Sequence, residues 1–142
     1  MSTPTAYGRL AAALAEMTSP KGDKVNPQFK SKYASLDAIM DTVRPILAKH
    51  GLGLSQAIVA SEGRVGVKTL IIHAEGVIDM GEVTVAVKPD TTAQQVGSSI
   101  TYLRRQSIQA AMGIATDTDD DGAAASTSEP AARSWGKGAA RG

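Results

Sequence analysis

Val96, Ile100, Leu103, Ser107, Ala110, Ala111 and Ile114 fall on one face when residues 93–113 are wound at 100° per residue. A run of this length with that spacing predicts a long helix that buries one side. Thr92, with Gln95 three residues on, supplies a capping-box start. Ser98, Tyr102, Arg105 and Gln109 lie opposite the apolar stripe. That second stripe has no acidic residue and suits a phosphate backbone better than a small-molecule pocket; the plainer alternative is a solvated helix face.

The rest of the chain fixes what the helix packs on. Tyr7, Leu10, Leu14 and Met17 predict an amphipathic helix over 5–17. Ser35 is placed to cap a second helix with Leu36, Ile39, Met40, Val43 and Leu47 as its apolar stripe, interrupted at Pro45. Residues 52–60, 64–74 and 77–88 predict three strands. Val65, Val67, Thr69 and Ile71 share a face in the second, and Val83, Val85 and Val87 in the third. Turns are expected at Ser61-Glu62-Gly63 and at Glu75-Gly76. The expectation is an α+β domain: a three-stranded antiparallel meander, a long helix packed on it, and helices at the N-terminus.

Composition then narrows the function. A net charge of +1 means that any nucleic-acid site must concentrate its basic groups locally. Cys is absent, which excludes disulfides, thiolate metal sites and a cysteine nucleophile. No apolar stretch approaches the roughly 20 residues of a membrane span, so a soluble, intracellular protein is expected. His50 and His73 lack partners at triad or ligand spacing, and no phosphate loop is present. Asp117, Asp119, Asp121 and Gly122 match half of a calcium loop, but Ser128 stands where a bidentate Glu is needed. No enzyme, cofactor or metal is implied.

The strongest local charge lies between residues 21 and 32. Lys21, Lys24, Lys30 and Lys32 interleave with Phe29 and lead into Tyr33, joining phosphate neutralisation to rings on which bases stack. After Ile114 the composition changes. An acidic turn precedes residues 123–142, which are rich in Ala, Ser and Gly and predicted to be a disordered tail, leaving 1–122 as the folded domain. Trp135 among Arg133, Lys137 and Arg141 is the one feature there that could contact a partner.

The segment Asn26-Pro27-Gln28-Phe29-Lys30-Ser31-Lys32-Tyr33-Ala34-Ser35-Leu36 resembles a signature of the ERF (essential recombination function) family of phage single-strand annealing proteins. Arg44-Pro45, His50-Gly51-Leu52, Gly97-Ser98, Thr101-Tyr102, Arg104-Arg105 and Gly113-Ile114 follow in the family's order. The resemblance implies ATP-independent binding of single-stranded DNA and annealing of complementary strands in phage-type recombination, in the cytoplasm of a bacterial host. It also implies a homo-oligomeric ring or helical filament, with a host single-strand binding protein or exonuclease as a further partner. Its implied functional positions are Lys30, Lys32, Tyr33, Ser98, Thr101, Tyr102, Arg104 and Arg105. The family commonly has Tyr after the arginine pair, where this chain has Gln106. The alternatives are a passive single-strand binder and an RNA-binding or assembly module.

Overall fold

A computed structural model describes residues 5–22, 24–25 and 32–115, with Lys24 and Lys32 placed by their backbone pairing. The elements are α1 (Ala6–Glu16), β1 (Lys24–Val25), β2 (Lys32–Tyr33), α2 (Leu36–Lys49), β3 (Gly53–Ser61), β4 (Arg64–His73), β5 (Gly76–Ala86) and α3 (Ala93–Met112). This is the expected α+β layout. Strands β3, β4 and β5 form the antiparallel meander in that order, and β1 and β2 form a separate two-stranded ladder.

Local chemistry explains most boundaries. The side chains of Thr5, Ser35 and Thr92 each accept a backbone N–H at a helix start, and Thr92 and Gln95 complete a capping box. At the end of α2, Leu52 N–H donates to Leu47 O at 2.9 Å and Gly51 N–H to Ala48 O at 3.0 Å. That reciprocal pair needs a left-handed residue at Gly51, whose φ is 74°. Leu47 and Leu52 are both buried in the core beside it. Gly113, with φ 70°, ends α3 in the same conformation, and Ile114 folds back into the core. The His50-Gly51-Leu52 and Gly113-Ile114 motifs are therefore helix stops.

One core joins the layers. Leu10 and Ala13 of α1, Ile39, Val43 and Leu47 of α2, Ile71 of β4, and Ile108 and Met112 of α3 all meet there. Val65, Val67, Thr69 and Ile71 are buried on the helix side of β4, as their alternation predicts. Opposite Thr69, β5 carries two residues, Met80 and Gly81, because Leu70 pairs with Asp79 but Lys68 with Glu82. This bulge inverts the alternation of β5. Ile78 and Met80 face the core before it, whereas Val83, paired with Val67, and Val85, paired with Val65, share the inward face after it. Gly81 N–H donates to Asp79 Oδ1 at 2.8 Å. That bond, with Lys68 nearby, holds the Asp79 carboxyl below its usual range.

Four expectations need correction. Tyr7 is 73% exposed, and Ala6 takes its place with Leu10 and Ala13 on the buried face of α1. Pro45 does not interrupt α2, which runs on to Lys49. Asp41, whose carbonyl loses its N–H partner one turn before the proline, is exposed like Pro45, so water can satisfy that carbonyl. The second hairpin turns at Ala74-Glu75, with Gly76 already paired to His73. Gln109, assigned to a solvent stripe, is only 7% exposed, while Ala110 is exposed.

The last correction has a single physical cause: α3 passes through two environments. Ser98, Thr101 and Tyr102 are exposed in its first half. Further along the same side, Ile108 and Met112 enter the core beside α2. A face judged from spacing alone cannot register a neighbour that covers only half of it.

Candidate nucleic-acid interface

Tyr33 ends β2, in antiparallel register with Lys24, while Val25 pairs with Lys32. The ladder carries Tyr33, whose ring meets α3. There the Arg105 guanidinium lies 4.4 Å from the centre of the Tyr33 ring and 5.5 Å from that of Tyr102. A planar cation between two rings is favourable both as a cation–π contact and as a stack. Tyr33 and Arg105 are half-buried, and Tyr102 is 53% exposed. Gln109 supports the stack from one turn on, its Nε2 donating to Arg105 O at 3.2 Å.

Arg105 Nε is buried and has no hydrogen-bond partner among the described residues. An unsatisfied buried donor costs about 1–3 kcal/mol.

Ser98 and Thr101 are exposed and precede Tyr102 on α3. Lys21 is exposed at the approach to the hairpin. Arg104 turns elsewhere. Its Nε donates to Gln56 Oε1 at 3.1 Å, and Gln56 Nε2 donates to Thr69 Oγ1 at 3.0 Å and to Arg104 O at 3.3 Å. Arg104 thus ties α3 to β3 and β4. Sequence reading missed Gln56; its signal is a glutamine on the inward face of a strand, two residues from Leu54. Gln106 is half-buried one turn beyond Tyr102. Lys30, Phe29, Asn26-Pro27, the Asp117–Asp121 run and the whole of 123–142, Trp135 included, lie outside the described residues.

The two histidines have local partners. His50 Nε2 lies 2.8 Å from Glu16 Oε2, and Lys49 Nζ lies 2.8 Å from Glu16 Oε1. Hydrogen bonds from Lys49 and His50 hold the Glu16 carboxyl below its usual range, and the cluster ties the end of α1 to the end of α2. His73 Nδ1 accepts the Glu75 N–H at 3.2 Å. Among the described residues no three His, Cys, Asp or Glu are grouped to hold a metal ion, and no helix is long and apolar enough to cross a membrane.

A meander backed by a long helix, with two tyrosines and an arginine gathered beside a short antiparallel ladder, defines a candidate nucleic-acid-binding protein. The chain belongs to the ERF superfamily, whose family model matches residues 6–138. At family level this places it with the single-strand annealing proteins of phage recombination. The matched span runs beyond the change in composition after Ile114 and into residues 123–142. No curated protein and no solved structure matches the chain significantly.

Proposed function

We propose that this protein binds single-stranded DNA across the lysine hairpin and the exposed side of α3, and anneals complementary strands without ATP. The observation that carries the reading is the Tyr33–Arg105 contact, because it joins two features far apart in sequence into one surface. Lys21, Lys24, Lys30 and Lys32 supply charge for the phosphates, and Ser98 and Thr101 supply neutral donors. Arg104 serves the site by fixing α3 on the sheet.

Annealing needs no hydrolysis, because stacking and pairing of the product release about 1.4 kcal/mol per base-pair step. The protein's part is to extend the strands and relieve phosphate repulsion. One domain of this size spans only a few nucleotides, so alignment of long strands calls for a homo-oligomer, as a ring or a filament. Such a protein works in the cytoplasm of the bacterial host; a host single-strand binding protein or an exonuclease is the partner class that fits.

Annealing of complementary oligonucleotides, followed by fluorescence without ATP at two salt concentrations, tests the proposal. The expected result is faster annealing and an affinity that falls with salt by about 0.7 log units per log unit for each neutralised phosphate. Binding without any gain in annealing rate identifies a passive single-strand binder. Preference for strands bearing 2′-hydroxyls identifies an RNA-binding module.

A further inference from the structure

We infer that Tyr102 is a stacking platform for an unpaired nucleobase, and that Arg105 is the positioning residue behind it rather than a phosphate ligand. The inference rests on the single-strand reading above and names the ligand group of that surface. Three observations lead to it.

The first is the state of Arg105. A guanidinium grips phosphate best with two parallel N–H donors free in one plane, and one of the donors of Arg105, Nε, is withdrawn from solvent. Here Nε is buried with no hydrogen-bond partner among the described residues, and the guanidinium lies against Tyr33 and Tyr102. The Arg105 guanidinium is in contact range of both rings. The second is the asymmetry of Tyr102, whose ring is braced by Arg105 yet 53% exposed. A tyrosine has only two side-chain torsions to fix, and bracing removes part of the entropy that stacking a ligand costs. The third is the setting. Ser98 lies one turn before Tyr102 and Thr101 beside it, both exposed, so hydroxyl donors flank the ring where a strand's phosphates would run.

A nucleobase is the planar ligand that fits this arrangement, and every base offers a π-face, so the contact tolerates any sequence. Bases inside a duplex are already stacked and cannot use it. Tyr102 thereby favours single strands over the duplex that annealing produces, which helps the product to leave.

The test compares the wild type with Tyr102→Phe, Tyr102→Ala and Arg105→Gln on oligo-dT and on an abasic strand of equal length, at several salt concentrations. Folding of each variant is checked by circular dichroism. Tyr102→Ala is expected to lose roughly 5- to 150-fold in affinity for oligo-dT, the equivalent of about 1–3 kcal/mol per stacked base. It is expected to match the wild type on the abasic strand. Tyr102→Phe retains wild-type affinity on both. Arg105→Gln weakens oligo-dT binding alone and leaves the salt slope unchanged.

Equal losses on both strands for Tyr102→Ala, or no loss on either, overturn the inference. So does an Arg105→Gln slope reduced by about 0.7, which marks a lost phosphate contact. A wild-type protein that binds neither strand overturns the single-strand reading as well, whereas tight wild-type binding with a silent Tyr102 overturns this inference alone.

Discussion

Replacing Gly66 by Ala is expected to destabilise the sheet where β5 pairs with β4. An ideal Cβ at Gly66 falls 1.8 Å from Val83 O, 2.6 Å from Thr84 Cα and 2.7 Å from Val83 C. All three are backbone atoms of β5, so no side chain can rotate away. Real Cβ contacts do not go below 3.0 Å, and β5 must therefore retreat by at least about 1 Å. Such a shift stretches hydrogen bonds of about 2.9 Å out of range around the Gly66–Thr84 pair. Losing two or three ladder bonds at about 1 kcal/mol each, with looser packing at Val65 and Val67, sums to roughly 3 kcal/mol. For a domain of about 120 residues that lowers Tm by roughly 12 °C. Thermal denaturation followed by circular dichroism measures it directly. Gly97→Ala is the matched control: Gly97 is exposed within α3 with nothing within 4 Å of the added carbon, so a gain of about 0.5–1 kcal/mol is expected. A Gly66→Ala variant within about 1 kcal/mol of the wild type would refute the steric argument.

Leu103→Ala, at a buried position, is expected to cost about 2–5 kcal/mol, and Gln109→Ala more than about 1 kcal/mol through its lost bond to Arg105 O. Shifted urea midpoints at an unchanged m-value confirm both, whereas an indifferent Gln109→Ala returns that residue to a solvent face. Because the Glu16 carboxyl is held below its ordinary value of 4.5, its contribution is fully present above pH 4.5 and fades as pH falls through the lowered folded value. The stability gap between wild type and Glu16→Gln is therefore expected to be constant at neutral pH and to close under acid; a gap that widens there contradicts the clasp. Deleting residues 123–142 is expected to leave assembly and annealing intact, as read by light scattering and annealing rate. Loss of annealing with assembly unchanged moves Trp135 and its basic neighbours into the site.

How far the sequence could be read depended on whether a signal was local. Caps at Ser35 and Thr92, the hairpin order and the buried face of β4 each need only a few adjacent residues, and each was legible. The stack of Tyr33, Arg105 and Tyr102 is legible as separate residues but not as a contact, because the hairpin and α3 meet only in the folded chain. Arg104 and Arg105 are adjacent and alike in composition, yet one faces Gln56 and the other two rings. Helical spacing separates neighbours by 100° but does not say what awaits each of them. The bulge at Met80-Gly81 was hidden for a similar reason: two correct half-patterns of opposite phase blur into loose alternation.

That bulge also makes the two borders of the sheet unequal. β3 runs in unbroken register with β4 from Gly53 to Ser61, whereas β5 is broken at its centre. A broken, twisted border is a poor template for adding a strand, and a plain one is a good template. If copies of this chain join by extending their sheets, β3 is the border they share. Antiparallel pairing of β3 with its own copy is a two-fold contact that uses the same surface on both sides, and it closes after two subunits. A ring or a filament must then draw its other contact from a different part of the molecule, so its subunit number would be even wherever both contacts are used.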